Sequence, residues 1–237
     1  MTTTRSATKV GVIVGTGSGI SASLARALAA RGWRLALVSR TITATSPLVT
    51  QTKALAIAAD ASDPTDMARV FAQIDHTLGP VDFAVYNASA RARGPLIDVA
   101  PADVHKALAI GAYGGFLMAQ EAAKRMLPRE SGAIFFTGAS ASVKGYPQSA
   151  AFAMAKFALR GLAQSMAREL QPKGIHVAHF IIDGGVRNSD RGRVEGTGET
   201  DSLLDPDAIA ASYLQVLDQP RSAWTSELEL RPWVERF

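Results

Sequence analysis

Short apolar runs alternate with amphipathic stretches along almost the whole chain. Residues 10–14 read Val-Gly-Val-Ile-Val, the pattern of a strand buried on both faces, and a glycine cluster follows. Residues 23–31 then carry helical periodicity. The runs at 35–38 and 54–59 predict a second and a third strand, with a Thr-rich, weakly helical stretch at 41–53 between them. Asp63-Pro64 supplies an N-cap and a proline at the first helical position, opening a helix that runs to about residue 78. A strand at 81–86, a helix at 102–127 with a glycine-rich middle and a strand at 133–137 come next. A long helix at 149–170 and a strand at 175–182 continue the alternation. Residues 188–205, opening on a polar, Gly-rich stretch without a period, are expected to form a mobile segment on the substrate side. A helix at 206–217 and a last strand at 227–230 complete the pattern.

Regular β-α alternation with continuous apolar strands implies a parallel sheet covered by helices on both faces. The expected fold is therefore α/β, a doubly wound (Rossmann) parallel sheet of about seven strands. At 237 residues, with no repeat and no linker, the chain is expected to form one domain. Only 19% of residues are charged and 47% are apolar, which excludes disorder. The chain has no cysteine, which removes disulfides, thiolate zinc sites and cysteine nucleophiles together.

The net charge is +4, a small surplus without a Lys/Arg run longer than two residues, so no nucleic-acid partner is expected. No apolar stretch approaches the ~20 residues that span a bilayer, and the opening Met-Thr-Thr-Thr-Arg lacks the apolar segment of a signal peptide. No membrane association and a cytoplasmic location are expected. His76, His105, His176 and His179 fall at no metal-ligand spacing, and no metal is assigned.

Gly15, Gly17 and Gly19 lie between the first strand and the first helix, where a dinucleotide pyrophosphate meets a helix N-terminus. The plain alternative is a tight turn that needs positive φ. The spacing approximates T-G-x-x-x-G-x-G, with Val14 at the Thr place and Ser21 at the third Gly. Together with Leu24-Ala-Arg-Ala-Leu-Ala-Ala-Arg-Gly32, it resembles the opening of the short-chain dehydrogenases/reductases. The resemblance continues through Asp60, Tyr86-Asn-Ala-Ser89, Phe152-Ala-Met-Ala-Lys156 and Asp183-Gly184, in the family's order.

The resemblance implies a nicotinamide cofactor held by Gly15, Gly17, Ser18, Gly19, Ile20, Asp60, Ala61, Asn87, Ala88, Lys156, Gly184 and Val186. At the end of the second strand an acid would bind the ribose hydroxyl of NAD, whereas an Arg accommodates the phosphate of NADP. The chain reads Val38-Ser39-Arg40 there, so NADP(H) is expected over NAD(H), with Ser39 and Arg40 as contacts.

In the family's mechanism an Asn, a Ser, a Tyr and a Lys cooperate at the substrate oxygen. Carried over by position, the Tyr place holds Phe152, the Ser place Ala139 and the Asn place Gly111; only Lys156 remains. This resembles an atypical subgroup with F-x-x-x-K and an incomplete glycine motif. Substitute groups are sought nearby: Tyr146 and Ser140 first, then Ser142, Tyr86 and Tyr113. Asp183 places a carboxylate where the family has Pro.

Three functions remain open: an NADP(H)-dependent oxidoreductase acting on a small carbonyl, alcohol or activated alkene, a catalytically inactive NADP(H)-binding sensor or assembly subunit, and a non-redox enzyme. The helices at 102–127 and 149–170 are apolar on more than one face, so a homotetramer is expected, with a dimer as the fallback.

Overall fold

A computed structural model describes residues 8–234. Seven strands form one parallel sheet: β1 Val10–Val14, β2 Arg34–Ser39, β3 Leu55–Ala58, β4 Phe83–Tyr86, β5 Gly132–Thr137, β6 Ile175–Ile182 and β7 Glu227–Leu230. Their spatial order is β3-β2-β1-β4-β5-β6-β7. The order reverses between β1 and β4, whose register pairs Gly11 with Phe83 and Val14 with Tyr86. Loops leave in opposite directions there and open a crevice at the carboxyl ends of the strands, the general ligand position of open α/β sheets.

The helices are α1 Ile20–Ala30, α2 Pro47–Thr52, α3 Pro64–Thr77, α4 Pro101–Leu108, α5 Gly114–Met126, α6 Ala150–Leu170 and α7 Pro206–Leu217. Both sheet faces are sealed by apolar side chains. Met67, Val70 and Phe71 of α3, Met118 of α5 and Leu159 of α6 cover one face. Leu24 and Leu28 of α1 with Ile209 and Tyr213 of α7 cover the other. On that second face Phe83, Phe135 and Phe180 pack ring to ring across three strands, at 5.0 and 5.4 Å between centroids.

Three elements differ from the sequence expectation, each for a local reason. The first helix begins at Ile20, three residues early, because Gly19 is its N-cap and its carbonyl already accepts from the Ala22 and Ser23 amides. The single helix expected at 102–127 is two helices joined by a π turn at Ala109–Tyr113. Wider winding displaces carbonyls from the helical ladder, and the buried Tyr86 hydroxyl donates to the Ile110 carbonyl at 2.5 Å. The 188–205 segment contains a short 3-10 turn, and β-bridges join Val186 to Leu204 and Asn188 to Arg193. Among the described residues no helix is long and apolar enough to cross a membrane.

Candidate active site

The crevice at the carboxyl ends of β1, β2 and β4 is a groove of about 550 Å³. Its floor is the turn after β1. Gly15 adopts φ +92°, and a Cβ there would stand 2.2 Å from the Ala88 amide nitrogen, so only glycine lets the two loops touch. The clasp is completed by Ser21, whose hydroxyl donates to the Gly15 carbonyl at 3.0 Å and accepts from Asn87 Nδ2 at 2.6 Å. Ser21 and Asn87 thus act first as fasteners of the glycine loop.

No side chain caps the N-terminus of α1, and its first turn holds no acid. The amides of Gly19, Ile20 and Ser21, which precede the first intrahelical bonds, are left for an anion, and the helix dipole favours one. Every residue that the sequence placed around the cofactor, including Ser39 and Arg40, lines this groove. Asp60 is held as a carboxylate: hydrogen bonds from the Ser62 hydroxyl and amide keep it below the usual range.

Lys156 lies at the inner end of the groove, 3% exposed, and its Nζ donates to the Thr137 carbonyl at 2.7 Å. Burial, with Arg91 adding like-charge repulsion, pushes the ammonium down to about 7. One turn earlier on α6, Phe152 presents its ring to the same space, with the Lys156 Nζ 5.9 Å from the ring centroid. The Arg91 guanidinium covers that ring at 4.3 Å.

Beyond Phe152 lies a second cavity of about 560 Å³, lined by Ser140, Tyr146, Asp183, Gly184 and three arginines. Tyr146 and Ser140 therefore both line this cavity. Asp183 is 3% exposed, and its carboxylate is shared by Lys144 at 3.1 Å and Arg231 at 3.0 Å. The ammonium of Lys144 is favoured first by its hydrogen bond to Asp183, and its Nζ lies 6.0 Å from the Tyr146 ring centroid.

Other candidates fall away on geometry. Tyr86 is fully buried with its hydroxyl committed to Ile110. Tyr113 is turned outward and stacks on Phe116. Ser142 is sealed, donating no group to either cavity; its Oγ accepts from the Ala139 amide at 3.1 Å and lies 3.4 Å from His179 Nε2. Burial drives His179 down to about 4, so the imidazole is neutral. At Gly111, a Cβ would stand 2.7 Å from that of Ala155.

Arg91, Arg93, Asn188, Arg191 and Arg193 also line the two cavities and were missed in the sequence. The Arg91-Ala-Arg93 pair, one residue after Asn87-Ala-Ser89, was the available signal.

Residues 9–192 match the short chain dehydrogenase family. The chain belongs to the short-chain dehydrogenases. Versicolorin reductase 1 of Aspergillus parasiticus is 33% identical over 186 residues, 76% of this chain and 70% of that protein. A short-chain dehydrogenase from Rhodopseudomonas palustris is 33% identical with a TM-score of 0.81, over 95% of this chain and 99% of that one. The alcohol dehydrogenase of Thermococcus sibiricus, solved with 5-hydroxy-NADP, shares the fold at a TM-score of 0.84 and 23% identity, over 97% and 98% of the two chains. The short-chain dehydrogenases are an oxidoreductase family with a nicotinamide-binding Rossmann fold, and the groove above fits such a cofactor in its uncapped helix, its glycine turn and its buried lysine.

Proposed function

We propose that the chain is one NADP(H)-binding domain that reduces a small carbonyl compound or an activated alkene, or oxidises the matching alcohol, with a degenerate catalytic tetrad. The observation that carries the cofactor choice is Arg40 at the end of β2: it lines the groove, and among the described residues no ion pair engages it. Gly17, Ser18 and Gly19 present amides to the pyrophosphate, and Lys156 holds the nicotinamide ribose. Bound there, the reduced cofactor supplies hydride.

The protein's own task is then to orient the substrate oxygen and protonate it. Phe152, Ala139 and Gly111 take the places of the family's Tyr, Ser and Asn, and none can donate a side-chain proton. Tyr146 is the proton donor in this scheme, with the Lys144 ammonium beside it and Ser140 as the hydrogen-bond donor in the same cavity. Large apolar side chains at Tyr113, Phe116, Met154 and Phe157 lie exposed on α5, α6 and the π turn between α4 and α5, and we assign them to the interface of a homotetramer, or of a dimer.

A second possibility, an inactive NADP(H)-binding subunit, is favoured by the same three side chains. Incubation with NADPH and a panel of small ketones, aldehydes and enones, followed at 340 nm with product analysis, separates the two. Cofactor consumption with product supports the oxidoreductase, whereas tight NADPH binding without turnover across the panel overturns it.

A further inference from the structure

Many arginines elsewhere on the molecule are matched by acids. Arg69 meets Asp66, Arg125 meets Asp75 and Glu121, Arg129 meets Asp82, and Arg160 grips Glu227 through two 2.7 Å bonds. The cavity beyond Phe152 breaks this pattern. Arg91, Arg93 and Arg193 line it, and among the described residues none of them forms an ion pair. Asp183 is the one carboxylate on that wall, and it is already shared by Lys144 and Arg231. The cavity therefore carries an uncompensated positive field.

That field is felt by the groups within it. Arg91 is held below its ordinary value first by burial and then by Arg193, Arg93 and Arg191. Arg91 in turn disfavours the charged form of Lys156. Clustered cations cost stability unless an anion joins them. One of the three has an aromatic neighbour at the cavity wall, the Arg91 Cζ lying 4.3 Å from the Phe152 ring centroid. The planar guanidinium fork suits a two-oxygen anion.

We propose that this cavity selects substrates that carry an oxyanion, a carboxylate or phosphate, near the reacting carbonyl, with Arg91 and Arg93 as the specificity residues and Arg193 adding to the field. The inference rests on the oxidoreductase function proposed above and adds its substrate class. It differs from cofactor phosphate binding by position. Arg191 lines the cofactor groove alone, Arg91 and Arg193 line both cavities, and Arg93 lines the substrate side alone.

Calorimetric titration of the full chain saturated with NADP+ tests it, with phenylglyoxylate against its methyl ester and dihydroxyacetone phosphate against dihydroxyacetone. At least one anion of the two pairs binds about tenfold or more tightly than its neutral partner, and the advantage shrinks with added salt. Arg93→Gln and Arg91→Gln each reduce that advantage severalfold, and Arg93→Gln leaves NADP+ affinity within twofold. Tight NADP+ binding with equal affinity for acid and neutral partner in both pairs overturns the substrate class alone. An anion preference that survives both substitutions overturns the arginine assignment. Failure of NADP+ to bind overturns the cofactor assignment beneath it, and the inference with it.

Discussion

A Cβ on Gly111 would lie 2.7 Å from the Cβ of Ala155, so the π turn and α6 are pressed together there. If Gly111 stands at the Asn place, as proposed above, its lack of a side chain is also a packing condition. Gly111→Asn alone is expected to cost about 1–3 kcal/mol through overpacking. Ala155→Gly alone costs about 1 kcal/mol in helix propensity. Together they should cost less than their sum, because the second makes room for the first. Additive losses in urea unfolding would refute the contact.

The vacancy in the tetrad gives a second expectation. Simple ketones and aldehydes turn over slowly with NADPH, since a placed proton donor is worth about 10²–10⁴-fold and a hydrogen-bond donor at the oxyanion about 10²–10³-fold. Phe152→Tyr with Ala139→Ser then raises carbonyl reduction by about 10²-fold or more. If the unmodified protein is brisk, Tyr146→Phe and Ser140→Ala must slow it. Brisk turnover that survives both of these leaves the catalytic assignment without support.

Cofactor preference is read at Arg40. NADPH should bind more tightly than NADH by about 1.5–3 kcal/mol, the worth of a charge-assisted phosphate contact. Arg40→Asp should narrow or reverse that gap in a fluorescence titration. Equal affinities in the unmodified protein would end the claim.

Lys156 links the site to stability. Its folded value of about 7 lies below the ordinary lysine value of 10.5. Between those two the unfolded chain binds more protons, so stability of the nucleotide-free protein rises with pH across that window and levels off below it. The penalty at pH 7 is on the order of 4 kcal/mol. Lys156→Met therefore raises Tm at pH 7 by several degrees and flattens the climb toward pH 9.5, while weakening NADPH binding. A variant that melts lower, with an unchanged pH slope, would contradict the burial cost.

Assembly is tested by charge. Phe157 and Met154 are exposed on α6, and Phe157→Glu should shift light scattering from about four copies toward smaller species. A 25.0 kDa particle for the unmodified chain at micromolar concentration removes both the tetramer and the dimer.

The alternation of apolar runs carried the fold almost entirely, because strands buried on both faces leave continuous apolar runs such as residues 10–14 and 133–136. Helix ends and the π turn were harder to read. Gly19 as a cap and the Tyr86 hydroxyl on the Ile110 carbonyl are tertiary choices with no local pattern. That the residues proposed for the cofactor line one groove was legible, because they follow strand ends in a fixed order. The arginine wall was not, since Arg193 lies about a hundred residues from Arg91 and Arg93 and joins them in one cavity only in the folded chain. Nor could the sequence show that Tyr86 is sealed while Tyr146 is open.

Arg231 follows β7 directly and its guanidinium contacts both Asp183 and Glu229. The edge strand and a counter-ion of the substrate cavity are therefore carried by the same short stretch of chain. Clipping the backbone between α7 and β7 would bare the hydrogen-bonding edge of β6 and release Asp183 from one of its two cations in a single event. Sticky association and altered chemistry would arrive together, and a preparation with a nicked tail could pass for a catalytic variant.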